Sequence, residues 1–218
     1  MRAAALASLA RTLASRRMLV AALMGFSSGL PLLLTLTLLQ AWLTLRGVSL
    51  AVIGQFALTQ LPYTFKFLWA PLLDRFHLGF LGRRRGWLLA LQILVALAIV
   101  ALGIVGVPDA GRSITTNPAR AIAAMPFAPP LGALPSLATD YVHSLGALLP
   151  GLVATAIAGF LLAFFSASQD VVIDAYRRES LHDDGEQSLG ASLYVWGYRI
   201  ATLFAGGGGL ILAAHMPF

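Results

Sequence analysis

The chain has 218 residues, of which 58% are apolar and only 11% are charged. A typical soluble domain carries charge on about a quarter of its residues, so this composition excludes an ordinary soluble protein and indicates an integral membrane protein. The net charge of +6 does not indicate nucleic-acid binding, because the arginines flank long apolar runs. The chain has no cysteine, which excludes disulfides and thiolate metal sites.

Residues 1–17 form a tail of small residues with four arginines. A basic tail before an apolar segment is also typical of a signal peptide. The apolar run that follows is too long for the core of such a peptide, and no convincing cleavage site follows it. We therefore predict a basic cytoplasmic tail.

Residues 18–107 predict three membrane spans, because a helix needs about 20 residues to cross the hydrocarbon core. The spans are expected at residues 18–45, 50–73 and 87–107. Gly25 and Gly29 share one face of the first span, where small side chains let another helix approach closely. Residues 74–86 form an arginine-rich turn between the second and third spans.

Residues 108–147 contain six of the eleven prolines and few charges. Because prolines interrupt helices, this segment predicts a periplasmic loop, with room for one short interfacial helix. Residues 148–218 then predict a fourth and a fifth span, at 148–176 and 188–214, joined by a polar turn at 177–187.

The distribution of lysine and arginine predicts the orientation, since these residues are retained on the cytoplasmic side. The tail holds four of them, the arginine-rich turn four and the turn after the fourth span two, against three in the outer segments. The N-terminus is therefore expected in the cytoplasm. The five spans alternate in direction, which leaves Phe218 outside.

Several motifs together carry a family resemblance. Asp74-Arg75 followed by residues 82–85 resembles the loop signature of the major facilitator superfamily, G-x-x-x-D-R-x-G-R-R, although Ala70 replaces its first glycine and extra residues separate its two parts. Residues 28–35, 39–44, 65–75, 82–90, 166–177 and 197–199 together resemble the AmpG-type muropeptide permeases of Gram-negative bacteria. The proline-rich loop lies outside this resemblance.

The resemblance implies an all-α membrane protein: the N-terminal helical bundle of a major-facilitator-type transporter, with about five transmembrane helices and with the second half missing. It also implies a proton-coupled importer of anhydromuropeptides, N-acetylglucosaminyl-anhydro-N-acetylmuramyl peptides, across the bacterial inner membrane. That import serves peptidoglycan recycling and β-lactamase induction. The implied partners are the muropeptide, protons, membrane lipid and the missing half of the transporter, with no nucleic acid.

Ionisable residues within the spans are candidates for transport, because inserting a charge costs about 2.5–3.5 kcal/mol. Lys66 either snorkels to the inner surface or attracts a substrate carboxylate. Asp170 and Asp174 share one face of the fourth span, where two like charges suit a proton-coupling carboxylate. Asp170 could instead simply pair with Lys66 or Arg199. Arg199 either binds a carboxylate with its planar fork or neutralises Asp170.

The remaining candidates are neutral side chains and an inner cluster of charges. Gln40, Gln169 and Tyr63 are expected to contact the sugar, although glutamines in spans also join helices. The arginine-rich turn and the inner end of the fourth span are expected to form a cytoplasmic gate. Its members are Asp74, Arg75, Arg83, Arg84, Arg85, Asp174 and Arg178.

Two alternatives stay open. One is a related facilitator for another organic anion, such as an acyl-CoA or a sugar acid. The other is an intramembrane enzyme that uses Asp170 and Asp174 as an acid pair, which is disfavoured because aspartyl chemistry takes its two carboxylates from separate, facing elements. The chain shows no Ser-His, Cys-His or metal-ligand pattern, so we predict a transporter without enzymatic activity, cofactor or metal.

Overall fold

The structure is a computed structural model that describes residues 12–13, 15–46, 48–76, 82–105, 134–181, 183–209, 211 and 215, with the side chains of 134–149 excepted. All regular structure within these ranges is helical, which confirms the predicted all-α class. Most of the predicted tail and of the proline-rich loop lie outside the described residues. The helices are α1 (Arg16–Leu45), α2 (residues 50–75), α3 (Arg83–Val105), α4 (Leu134–Ser180) and α5 (Asp184–Leu203), which continues as a π-helical turn over Phe204–Gly208.

Three helices are long and apolar enough to cross a membrane. They are Arg16–Leu45, Arg83–Val105 and Pro150–Ser180, which match the predicted first, third and fourth spans. In the described part of the chain, α2 is divided into short helical segments and α5 begins with acidic residues, so neither joins that group. The number of five crossing helices therefore stays a prediction.

The contacts show that the five helices alternate in direction. Arg17 near the start of α1 pairs with Glu186 near the start of α5. Arg84 at the start of α3 pairs with Asp74 at the end of α2 and with Glu179 at the end of α4. One end of the bundle thus collects these ionic side chains, and we call it the charged end. This arrangement agrees with the predicted alternation.

Prolines shape α1 and α2. Pro31 lacks a backbone donor inside α1, and the helix widens to a π-helix over Leu34–Leu38, where the Thr35 hydroxyl donates to a backbone carbonyl at 2.9 Å. In α2, Pro62 and Pro71 each stand in the first turn of an α-helical segment that follows a 3₁₀ turn. A proline is tolerated in a first turn because the missing N–H has no intrahelical partner there. Prolines therefore make α2 a segmented helix.

The helix α4 starts earlier than the sequence predicted. It begins at Leu134 rather than at residue 148, and it includes Pro135 and Pro150. Pro135 was expected to interrupt a helix, but it occupies the first turn, where it costs no hydrogen bond. The part from Pro150 onward is the apolar segment that matches the predicted fourth span.

The polar turn after α4 is shorter than predicted. The sequence indicated a turn over 177–187, whereas α4 continues to Ser180 and α5 begins at Asp184. Asp184 and Glu186 lie in the first turn of α5, where negative charge is favourable beside the positive end of the helix dipole. Their charge therefore favours the helix that the prediction had left as a turn.

Within the described part of the chain, α4 is the central helix. Its Leu152, Leu162 and Val172 lie in three buried apolar clusters, with partners from α1, α2 and α3. Burial of a large aliphatic side chain contributes about 1.5–3 kcal/mol, so these three contacts fix α4 against three neighbours. The side chains that α4 presents to the centre therefore have well-defined positions.

The helices α1 and α5 approach each other through glycines. A Cβ atom added at Gly25 would overlap the Tyr194 carbonyl group, and one at Gly197 would overlap a carbonyl group of α1. At Gly29 it would lie 2.8 Å from the Tyr198 carbonyl oxygen. The prediction that the face of Gly25 and Gly29 receives another helix is confirmed.

The substitution Gly25→Ala should destabilise the bundle, because the backbone of α5 cannot yield as a flexible side chain would. We expect the free energy of unfolding to fall by about 1–3 kcal/mol, the range for overpacking. Thermal unfolding in detergent measures it. Gly103→Ala in α3 is the matched control, since an added Cβ there meets nothing within 4 Å. Equal melting temperatures for both variants would contradict the close contact.

Candidate functional site

Polar side chains of α4 are buried where the helix crosses the centre of the bundle. Ser166, Ser168 and Gln169 are each at most 2% exposed. A polar side chain in a membrane helix normally faces the protein interior, because lipid offers it no hydrogen bond. The sequence pattern around Asp170 therefore marks the inner face of α4.

Asp170 is held by two hydroxyl groups in series. The Ser28 hydroxyl of α1 donates to Asp170 Oδ1 at 2.5 Å, and the Tyr194 hydroxyl of α5 donates to Ser28 Oγ at 2.9 Å. Three helices thus meet at one carboxylate. Sequence analysis missed Ser28 and Tyr194. The available signal was that Ser28 lies next to Gly29, on the face of α1 that receives α5.

Lys66 and Asp174 are the charged groups that interact electrostatically with Asp170. Tyr63 of α2 and Tyr198 of α5 also face it. Among the described residues Asp170 forms no ion pair, so the expected direct pairing with Lys66 or Arg199 is absent. The carboxylate is instead satisfied by a hydroxyl, and Lys66 remains available to another anion.

Gln169 joins three helices. Its Nε2 donates to Ser27 Oγ of α1 at 2.8 Å and to Gln92 Oε1 of α3 at 2.7 Å, while the Ser27 hydroxyl also donates to Gln92 Oε1 at 2.8 Å. The amide nitrogen of Gln169 is therefore already used within the bundle. Its predicted sugar contact stays a prediction that only Oε1 can carry.

Four buried polar atoms near this region lack a hydrogen-bond partner within the described residues. They are Gln60 Oε1, Tyr63 OH, Ser166 Oγ and Gln169 Oε1. An unsatisfied buried polar group costs about 1–3 kcal/mol, so such atoms are expected to bind water or a polar ligand. They belong to α2 and α4, the helices that also carry Lys66 and Asp170. We call these four atoms together with Lys66 and Asp170 the central polar site.

Two predicted binding residues lie away from the central polar site. Gln40 is twelve residues beyond Ser28 on α1, about 18 Å along the axis by helix rise. Arg199 follows Tyr198 on α5, and its side chain is exposed rather than directed towards Asp170. The structure therefore brings together Lys66 and Asp170, with Tyr63 and Gln169 beside them on the same helices, but not the other two.

The charged end is organised by Arg84. Its guanidinium, whose side chain is only 10% exposed, pairs with Asp74 of α2 and with Glu179 of α4 at 2.9 Å. Arg83 contacts the same Glu179 at 3.1 Å. The arginine fork can hold two carboxylates at once, so one residue links the ends of three helices.

The predicted gate is realised only in part. Asp74, Arg83 and Arg84 join this ionic cluster, as expected from the sequence. Asp174 instead pairs with Arg177 at 3.5 Å on its own helix and does not reach the arginine-rich turn. Three predicted members are exposed and form no ion pair in the described part of the chain: Arg75, Arg85 and Arg178.

Two acidic residues of the charged end were missed in the sequence. Glu179 and Glu186 receive the arginines of α3 and α1. Both were assigned to a polar turn, where an acidic side chain has no fixed partner. Their position close behind Arg177 and Arg178 was the available signal, because alternating charges at a helix end commonly form pairs.

The described residues contain no group of three or more metal-ligating side chains of the kind that holds a metal ion. The site that the fold brings together is therefore a polar and ionisable one, built from carboxylate, ammonium, hydroxyl and amide groups. Such groups can exchange protons and can bind an anion or a sugar.

Arg84→Gln should weaken the charged end, because it removes both carboxylate contacts. We expect a loss of about 1 kcal/mol in the free energy of unfolding, since Asp74 and Glu179 are half exposed, and a smaller loss in high salt. Chemical denaturation at two salt concentrations measures this. Arg85→Gln, at an exposed side chain, is the control. A salt-independent loss would contradict an ionic origin.

Comparison with known proteins places the chain among transporters. Residues 18–110 match a family model described as acetyl-coenzyme A transporter 1. The anhydromuropeptide permease of Escherichia coli K12 is 40% identical over 191 residues, which cover 88% of this chain and 30% of that protein. An uncharacterized protein of Haemophilus influenzae is 38% identical over 211 residues, covering 97% of this chain and 40% of the relative.

The chain thus spans between 30% and 40% of the length of these relatives. The identity extends from α1 to α5 and is not confined to one motif, since it covers 88% of the chain or more in both cases. Apolar helices long enough to cross a membrane agree with the membrane location that the relatives' names imply. The chain therefore belongs to the AmpG-type permeases, a family of bacterial membrane transporters of the major facilitator type.

Proposed function

We propose that this chain contributes the first helices of a proton-coupled transporter that imports anhydromuropeptides across the bacterial inner membrane. The observation that carries the proposal is a carboxylate, Asp170, inside the bundle beside Lys66, in a chain 40% identical to a protein named anhydromuropeptide permease. A carboxylate in that position can take up and release a proton. No enzymatic step is needed for this role.

The proposed cycle begins with Asp170 in its charged form, bound by the Ser28 hydroxyl. A proton from the outer side neutralises Asp170, and the electrostatic hold of Asp170 on Lys66 is lost. The ammonium group of Lys66 then receives a peptide carboxylate of the substrate. The unpaired oxygens of Tyr63 and Gln169 accept or donate hydrogen bonds to sugar hydroxyls. Gln40 and Arg199 have no contact in this arrangement.

Release to the inside requires the charged end to open. The Arg84 pairs with Asp74 and Glu179 tie α2, α3 and α4 together, and we propose that they separate when the substrate leaves. Because these pairs are partly exposed, each is weak enough to break during a transport cycle. Protons and substrate then leave on the same side.

The second candidate is an acyl-CoA transporter, since a family model with such a description matches residues 18–110. An acyl-CoA is also an anion with a large polar body, so Lys66 would serve either cargo. An intramembrane enzyme fits less well, because Asp170 and Asp174 lie on one helix and Asp174 pairs with Arg177. Competition in the uptake experiment distinguishes the two cargoes.

The first experiment is uptake of a labelled anhydromuropeptide into cells that lack their own permease and express the complete gene product. We expect accumulation that a protonophore abolishes. Asp170→Asn should lose accumulation while retaining exchange of internal for external substrate, because exchange needs no net proton movement. Asp183→Asn, at an exposed position between α4 and α5, is the control. Uptake that an excess of acyl-CoA blocks, with none that muropeptide blocks, would favour the second candidate.

Lys66 can be tested with two substrates. For the anhydromuropeptide, Lys66→Gln should raise KM by about 10- to 100-fold, as expected for the loss of one hydrogen bond between charged groups. For the same disaccharide without its peptide, the KM values of the wild type and the variant should agree. Lys66→Arg keeps the charge and should retain most of the affinity. Equal losses for both substrates would contradict a contact with the peptide carboxylate.

The proposed orientation, with the charged end in the cytoplasm, rests on the bias of arginines towards that end. Because the chain has no cysteine, single cysteines can be introduced without background. In intact spheroplasts an impermeant maleimide should label Ser49→Cys, before α2. It should label Arg178→Cys only after permeabilisation. The reverse pattern would overturn the orientation.

A further inference from the structure

The hydroxyl groups of Ser28 and Tyr194 connect Asp170 to the packing of α5. Ser28 is 3% exposed, accepts from Tyr194 at 2.9 Å and donates to Asp170 at 2.5 Å. A hydroxyl has one proton to donate, so Ser28 cannot serve Asp170 and another acceptor at the same time. The direction of this series is therefore fixed while Asp170 is charged.

Close helix packing makes this series possible. Gly25 and Gly29 flank Ser28 on α1 and lie against the carbonyl groups of Tyr194 and Tyr198. Without these glycines the axis of α5 would stand further away and the Tyr194 hydroxyl could not lie above Ser28 in this way. The position of α5 and the bond to Asp170 therefore depend on each other.

The series continues towards the charged end. The Arg177 guanidinium lies over the Tyr194 ring, 5.2 Å from its centre, and pairs with Asp174 at 3.5 Å. The Arg177 Nε is buried and has no partner among the described residues, so Arg177 is held on one side only. A change at Tyr194 is thus transmitted to the ion pair one helical turn beyond Asp170.

We infer that Ser28 and Tyr194 are positioning residues that tie the protonation state of Asp170 to the contact between α5 and α1. A hydrogen bond to a charged carboxylate is roughly twice as strong as one to a neutral group. When Asp170 binds a proton, the bond that joins α4, α1 and α5 weakens, and the acid group can itself become a donor. Tyr194 then loses its fixed acceptor, and the hold of its ring on Arg177 changes. The inference rests on the proposed role of Asp170 in proton coupling.

Other groups around Asp170 do not supply this link. Lys66 and Tyr63 act on it from α2, Tyr198 from α5 and Asp174 from its own helix. Within the described residues none of them forms a hydrogen bond or an ion pair with Asp170. The hydroxyl series is thus the direct contact between Asp170 and the moving parts of the bundle.

Infrared spectroscopy on the purified 218-residue chain in nanodiscs tests the contact without requiring transport. Difference spectra between low and high pH show a carboxylic C=O band that Asp170→Asn removes. We expect Ser28→Ala to move this band to higher frequency, because the acid loses its hydrogen-bond partner. Tyr194→Phe should move it in the same direction by less. Tyr198→Phe removes the same atom one turn along α5 and should leave the band in place.

Transport by the complete gene product tests the coupling. In Tyr194→Phe the accumulation ratio should fall about fivefold, the effect of one hydrogen bond, while exchange of internal for external substrate stays close to that of the wild type. Tyr198→Phe should transport normally. A C=O band that is unchanged in Ser28→Ala and Tyr194→Phe, or accumulation in Tyr194→Phe equal to the wild type, would overturn the inference. Absent uptake by the wild type would overturn the proposed function instead, while the infrared result would still decide the hydroxyl contact.

Discussion

The close contact between α1 and α5 is the constraint on which the site depends. Their backbones approach each other because Gly25, Gly29 and Gly197 carry no side chains, and the carbonyl groups of the opposite helix fill the space. Helix association in a membrane relies on such packing, since lipid tails compete for every apolar contact. The Tyr194 hydroxyl reaches Ser28 as a consequence of this contact.

The central helix α4 combines two roles that conflict elsewhere in proteins. Its aliphatic residues fill the three apolar clusters of the bundle, and on the same turns it carries Ser166, Gln169 and Asp170. Gln169 is satisfied by α1 and α3, whereas Asp170 receives one hydroxyl and several neighbouring oxygens stay unpaired. Unpaired polar groups weaken a bundle, so their presence beside a carboxylate and a lysine supports a binding role over a purely structural one.

The charged end and the central polar site lie on the same helices. Asp170, Asp174 and Glu179 follow one another along α4, from the centre of the bundle to the ion pairs with α2 and α3. A shift of α4 at its centre therefore changes the geometry at its end. The segmented structure of α2, caused by its two prolines, gives the opposite wall of the site a helix that can adjust locally.

The sequence by itself determined the class of fold, the predicted direction of the helices and the residues that carry charge within the spans. Apolar length, arginine distribution and the position of Lys66 or Asp170 are local properties, and each was legible from a short segment. Only the tertiary structure decided the partners. Asp170 binds Ser28, 142 positions earlier in the chain, and Arg84 binds Glu179, 95 positions later, while Arg199 and Gln40 lie elsewhere. Helix periodicity gives the face of a residue but not which helix lies opposite, and that choice follows from how glycines and aliphatic side chains pack.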